Sequence, residues 1–408
     1  MALRGRSPVP RPEQGSALGE RVAMARKVAG LNQQALAQRA NYSISMLRAV
    51  EQGREPGSPA FVAAVARALG IEAEELYGQP YRETLDDDGG IPPGLTELRT
   101  LFAEGRYAAA LEPGATEEIE ADLAKVRDLR HSDRARQAIE LTPVLLRRMA
   151  GAIRQASTDS ARERGYRYLA QAYGNTAQLV YRFGWIPLAT QAVDRMEMAA
   201  ERSDDPLLAA HAVQHRALIL MSCASYDTGT RLVQHSLDLL ESRPDSEEVL
   251  ALRGSAHLRG AMIDARACEL DRAREHIAEA RAIGARLGRS SAAYDTNFGP
   301  GNVEIHDVAV SLEGGDPGRA ARDGSELRLP DDMRANRVGH HWQDVARAWV
   351  LAGDHANALR ALNNARRVAP QQTRYHPQVR ETARAIAMAE RRKSDSIAHF
   401  TNWLGLKV

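Results

Sequence analysis

Amides, histidines and arginines recur at helical intervals through the middle and end of this 408-residue sequence. Gln171, Gln178 and Arg182 form one set; His215 follows, then Asn302 with His306, then Gln343 with Arg347. Such side chains hold carbonyls and carboxylates by hydrogen bonds, and a guanidinium does so as a charged fork. Other chemistry does not assemble. His211 and His215 stand four residues apart, but no Glu occupies the HExxH position and no third ligand is in view, so no metal is expected. "NFGPGN" lacks the Lys-Ser/Thr ending of a phosphate loop; its Gly299-Pro300-Gly301 should break one helix and start another at Asn302. His340-His341-Trp342 reads as packing and groove lining. No GxSxG, Walker or Cys-His signature is present, so neither an enzyme nor a cofactor is expected. Cys223 and Cys268 form no CxxC pair and are expected to be small core residues.

The elements that must position these groups are helices. Aromatics make up 5% of the chain, and Ala and Leu are abundant, which favours helix over strand. No stretch shows the alternating Val/Ile/Thr/Tyr pattern of a sheet. The expected fold class is therefore all-α. The apolar share of 44% is enough for a core, and the length calls for more than one. The N-terminus lacks the apolar stretch of a signal peptide, and no apolar run approaches about 18 residues. A cytoplasmic protein without membrane contact is expected.

Residues 1–15 are rich in Pro, Arg and Gly and read as a flexible tail. Residues 16–80 read as five short helices, near 17–29, 33–40, 44–52, 59–69 and 72–77. They break at Gly30, Asn41, Gly53 to Pro59, and Gly70. Asn41 tolerates the left-handed conformation, Ser43 can cap the third helix, and Ser58 before Pro59 can cap the fourth. Between Met1 and Pro56 stand nine Arg or Lys against four Asp or Glu, although the whole chain carries only +1. A basic front on a neutral body suggests a polyanion-binding module. "RETLDDDGGIPPG" marks a linker, placed at 81–95. Segment 96–160 is helical without a clear repeat, a cap or a degenerate copy.

From 161 to 408, helices recur in pairs. A turn residue is followed five positions on by a small one: Gly184 and Ala189, Ser225 and Thr230, Cys268 and Ala273, Gly315 and Ala320, Gly353 and Ala358. Small residues let paired helices approach, and each pair leaves an apolar face that only the next can cover. The stretch from His376 to Leu406 looks like a terminal capping pair.

The stretch "NQQALAQRANYSISMLRAVEQGREP" resembles the helix-turn-helix of phage repressor and Cro-type regulators, the XRE family. Gln33, Leu36, Ala37, Asn41, Ser43, Leu47, Val50, Glu51, Gly53 and Pro56 match that pattern. The resemblance implies a recognition helix at 44–52 in the major groove of double-stranded DNA. It places Ile44, Ser45, Arg48 and Ala49 toward base edges, Arg48 on a guanine and Ile44 or Ala49 on a thymine methyl. Gln33, Asn32, Ser43 and Arg54 become phosphate contacts. Family members usually carry a polar or basic residue at position 44 and often Ser at 48. One such helix is too small for high specificity, so a homodimer on a palindromic operator is expected.

Residues 160 to 385, including "YDTNFGPGNVEIHDVAVSLEGGDPGRAARD", resemble the tetratricopeptide-type sensor region of actinobacterial XRE regulators. More distantly the layout is similar to Gram-positive peptide receptors. The implied architecture is a five-helix helix-turn-helix domain followed by a tetratricopeptide-like α-solenoid. Its inner face would bind a peptide or a small-molecule signal through the eight side chains named at the outset. A different reading is a scaffold whose array recruits a partner protein to DNA.

Overall fold

The computed structural model describes residues 17–79, 93–331, 333–390 and 395–406. The N-terminal tail lies outside these residues, as does the linker up to residue 92. The described residues form helices with no sheet; one isolated bridge joins Ser291 to Phe298.

The first five helices are α1 (Leu18–Val28), α2 (Gln33–Arg39), α3 (Ile44–Glu51), α4 (Pro59–Leu69) and α5 (Ala73–Tyr77). The expected punctuation holds. Asn41 is left-handed at φ 56°, Ser43 accepts a hydrogen bond from the Met46 amide, and Ser58 from the Phe61 amide, with Pro59 opening α4. Leu36, Leu47, Val50, Phe61 and Val65 fill the core of this unit. Gly19 lets α1 cross α3: a Cβ there would sit 2.1 Å from the Val50 carbonyl oxygen.

After α6 (Pro93–Glu104), which begins inside the expected linker, come six helix pairs. They are α7 (Thr116–His131) with α8 (Ala135–Gln155), α9 (Asp159–Arg182) with α10 (Ile186–Ala200), and α11 (Pro206–Ser222) with α12 (Tyr226–Glu241). Then follow α13 (Glu247–Arg266) with α14 (Leu270–Leu287), α15 (Pro300–Glu313) with α16 (Pro317–Glu326), and α17 (Ala335–Leu351) with α18 (His355–Val368). The short α19 (Pro370–Tyr375) leads to the closing pair α20 (Pro377–Ala389) and α21 (Asp395–Trp403).

One turn joins every pair. Asp133, Gly184, Ala224, Cys268, Gly315 and Gly353 are all left-handed, with φ from 52° to 85°. The amide after each turn residue reaches back five residues, as from Trp185 to the Val180 carbonyl at 3.0 Å and from Asp354 to Trp349 at 2.9 Å. This is the Schellman helix ending. Five residues on, Ala138, Ala189, Ala273, Ala320 and Ala358 are fully buried. In the third pair the expected register is one residue off. Ala224 is the left-handed residue, not Ser225, so the small partner is Gly229, whose Cβ would come 3.1 Å from Ile263. Asp133 with Ala138 adds a copy in the segment where no repeat was legible. The cysteine expectation is also corrected. Both cysteines are exposed, because Cys268 is itself a turn residue and Cys223 immediately precedes one.

The array closes on itself. The buried Asp133 carboxylate accepts the amides of Gln371 at 2.6 Å and Gln372 at 2.9 Å, pinning α19 to the first turn. Gln371 Oε1 also accepts the Arg136 amide. The solenoid is thereby a ring with an interior, not an open groove. We expect Asp133→Asn, which keeps a residue tolerant of positive φ but offers one acceptor oxygen, to lower stability by about 1–3 kcal/mol. Faster amide exchange confined to 370–376 in that variant would confirm the closure; unchanged exchange would refute it.

Candidate functional site

Two surfaces of the five-helix unit matter. The first is the face of α3. Ser45 and Arg48 are exposed there, and Ile44 is half-buried against the unit's own core. Ala49 does not face outward as expected. It is 7% exposed, and the loop after α3 folds back so that the Arg54 and Glu55 amides bond its carbonyl. Asn32 is the cap of α2, accepting from the Ala35 amide at 2.8 Å, and Ser43 caps α3 while bonding Ser45 Oγ at 3.0 Å. Arg54 is exposed and bonds Gln52.

Gln33 works inside the unit. Its Nε2 donates to Glu51 Oε2 at 2.7 Å, and its Oε1 accepts from Arg48 Nε at 3.2 Å. Glu51 also receives a two-pronged contact from Arg26, at 2.6 and 3.0 Å, while Arg26 Nη1 reaches the Leu31 carbonyl at 2.9 Å. These bonds keep the Glu51 carboxyl below its ordinary range despite burial. Charge and shape together fix α1, α2 and α3, and the network orients Arg48. Both charged ends are nearly inaccessible, so Glu51→Ala should cost about 3–5 kcal/mol by stranding Arg26. Denaturant unfolding followed with a probe in 18–77 measures this; a loss below about 1 kcal/mol would show the pair to be dispensable.

The second surface belongs to α4 and α5, which face the array. Arg67 Nη1 donates to the Ala224 carbonyl at 2.8 Å, and Gln378 Nε2 to Tyr77 Oη at 2.9 Å. Arg21 faces Glu381 at 3.6 Å. Gly184 packs on Gln79 so closely that a Cβ would lie 2.7 Å from its amide carbon. The five-helix unit thus sits on the turns of the second and third pairs and on α19–α20.

Beneath it is a cavity of about 400 Å³, within the range of small-molecule sites. Pro59, Ala63, Ala73, Glu74 and Tyr77 form part of its wall, and the first helix of each pair forms most of the rest. Of the expected ligand-facing residues, Gln178, Arg182, His215, Asn302, His306 and Arg347 line it. Gln171 and Gln343 do not. Lining residues recur two, six, nine, ten and thirteen positions before the left-handed turn residue, a stripe of helical period. Gln343 is ten before Gly353, an offset at which Gln214, Leu258 and Ile305 do line the cavity, but it is buried between helices and donates to Thr373 Oγ1 at 3.2 Å. Gln171 keeps the phase but lies beyond the cavity's end. Counting the same stripe from every turn finds residues that sequence reading missed: His211, Arg259, Arg266, Glu313 and Asp344.

The loop between α14 and α15 closes another side. Tyr294, Asp295 and Asn297 are all left-handed, with φ of 47°, 61° and 49°. Non-glycine residues held there cost free energy that the surroundings must offset. Here Phe298 is fully buried in a notch left by Gly254, and Tyr294 Oη donates to Asp205 at 2.6 Å. Asp295 reaches across to Arg130 and His131; against its burial, the Arg130 charge and hydrogen bonds from both hold its carboxyl well down.

Burial pushes all six cavity histidines below their ordinary value: His211 to about 4, His340 and His376 to about 3, His131 down, and His215 and His306 well down. They are neutral at pH 7. Their contribution is complete above the unfolded value near 6.5 and is lost as pH falls through the folded values. Burial also raises the carboxyls of Glu74 (to about 7), Asp133 and Asp344, and these act in the opposite sense. The histidines outnumber them, so the melting temperature should fall between pH 7 and pH 4. A flat or rising profile in calorimetry would contradict this account.

Residues 17–76 match the sequence family described as "Helix-turn-helix domain". The chain therefore carries a helix-turn-helix domain at its N-terminal end. No curated protein matches the chain. Among solved structures, BtubC from P. vanneervenii is 16% identical over 64% of this chain and 94% of its own, with a TM-score of 0.34. Bacillus thuringiensis PlcR, in complex with the peptide PapR7 and DNA, is 12% identical over 85% of this chain and 99% of its own, with a TM-score of 0.35. At these scores the likeness is too loose to bear on function. Among the described residues, no helix is long and apolar enough to cross a membrane.

Proposed function

We propose that the protein is a cytoplasmic, sequence-specific transcriptional regulator of XRE type whose array senses a small ligand in its central cavity. One observation carries this reading. The helix-turn-helix domain presents exposed Ser45 and Arg48 on one side and supplies α4 and α5 to the cavity wall on the other. A ligand in the cavity touches the same rigid unit that meets DNA. Its binding shifts the population of domain placements, and with it the half-site spacing that a homodimer can reach on a palindromic operator. A cavity of about 400 Å³ suits a small molecule or a few peptide residues better than a long extended peptide. The role is binding, not catalysis.

Genome-wide mapping of bound DNA, with Arg48→Ala as the control, tests the reading. Arg48→Ala should fold as the parent does, since its Gln33 bond is exposed, and should lose about 1–3 kcal/mol of operator affinity, most of it at one base pair. Equal occupancy by parent and variant at every site would defeat it.

A further inference from the structure

We infer that the cavity is an anion site, and that its ligand is a small organic molecule bearing a phosphate or carboxylate on an apolar body. The inference deepens the sensing function proposed above and rests on it only for the word ligand.

The charges of the cavity wall do not balance. Arg130 is paired with Asp295. Arg347 and Arg266 share Glu313, at 2.9 and 3.8 Å. Three further guanidiniums, Arg182, Arg259 and Arg337, face the same space with no carboxylate partner among the described residues. Arg182 has the Arg130 carbonyl at 3.4 Å. Arg337 has Asn302 Oδ1 at 2.6 Å. His306 Nδ1 lies 3.2 Å from Arg337 but 2.8 Å from the Asn302 carbonyl. A neutral ring donating to that carbonyl has no lone pair left at Nδ1 for Arg337. Arg259 makes no hydrogen bond among the described residues, and its buried Nε is unsatisfied there. Burial pushes each of the three down to about 10, which leaves all of them protonated at neutral pH. Arg259 and Arg337 are near enough that the charge of Arg259 helps to lower Arg337.

The remaining acids compensate only in part. Asp133 attracts Arg182 and Asp344 attracts Arg337 across space without forming an ion pair, and burial holds Glu74, Asp133 and Asp344 toward their neutral forms. The histidines are neutral, and serve as hydrogen-bonding groups around the cations. Mutually repelling, desolvated cations without counter-ions destabilise the empty protein. Groups that break local rules in this way mark functional sites. An oxyanion supplies what the wall lacks, because guanidinium pairs phosphate or carboxylate through two parallel bonds. Ile186, Leu218, Met221, Leu258, Met262 and Ile305 form an apolar wall beside the cations, so the ligand carries an apolar part.

The test uses the full-length protein and thermal unfolding, with sodium pyrophosphate and sodium octanoate as probes and sodium chloride at matched ionic strength as the reference. At least one probe should raise the melting temperature above the chloride reference, and which one does so decides between phosphate and carboxylate. In Arg259→Met and in Arg337→Met the probe effect should be lost, while the melting temperature without probe should equal or exceed that of the parent. A purely structural arginine gives the reverse, a lower melting temperature without probe. No probe-specific rise, a rise that survives both substitutions, or variants that melt earlier or fail to fold would each overturn the inference. An arginine-dependent rise without any change in operator affinity would keep the anion site and remove the sensing role.

Discussion

The buried carboxylate of Asp133 ties the end of the array to its beginning. A stack of helix pairs buries each apolar face against the next pair, and left alone it winds on as an open superhelix. By accepting two amides of α19, Asp133 stops that winding after one circuit. Most polar groups of the inner stripe then face one small cavity. In that setting, desolvation holds histidines neutral and leaves guanidiniums charged but uncomfortable. The unusual ionisation of the wall follows from closure more than from any one residue's immediate neighbours.

Closure also gives the helix-turn-helix domain somewhere to sit. Its α4 and α5 lie on the rim of the ring, held by Arg67 at the Ala224 turn and by Gln378 at Tyr77. The Arg26–Glu51–Gln33 network makes α1, α2 and α3 one rigid piece, so a displacement felt at α5 reaches Arg48 without being absorbed in between. The contacts between domain and ring include single hydrogen bonds such as Arg67 to the Ala224 carbonyl and Gln378 to Tyr77. Contacts of that kind can be exchanged at low cost, as a domain that changes placement requires.

Local chemistry was legible in the sequence, and global phase was not. Asn41, Ser43 and Ser58 act on residues within three or four positions, so their types alone announce a turn and two caps. The repeat turn was equally readable where glycine marks it, at 184, 315 and 353. It was misplaced by one at Ala224 and unseen at Asp133, because alanine does not advertise a left-handed backbone and aspartate does so far less plainly than glycine. That single step matters on a helix, where one position is a rotation of 100°. Gln343 was not excluded by phase: Gln214, Leu258 and Ile305 stand at the same offset and reach the cavity, whereas its amide is taken up by Thr373 of α19. Ala49 failed for a different reason, since its cover comes from a loop that folds back after the helix ends. The basic wall stayed hidden because its arginines lie on separate helices, more than seventy residues apart at each step, and only ring closure brings them together.

Enclosure sets terms for anything that binds inside. A solvated ion entering a cavity of about 400 Å³ must shed part of its water, so charge alone does not secure entry. The gain comes from relieving repulsion already present in the wall, which a neutral molecule of the same shape cannot do. An apolar body alone would leave the guanidiniums unpaired, and an inorganic ion alone would leave Ile186, Leu218 and Met262 against water. The wall therefore discriminates on two properties at once. Because α5 is part of that wall, any dependence of ligand affinity on the placement of the domain is matched by an equal dependence of DNA affinity on the ligand.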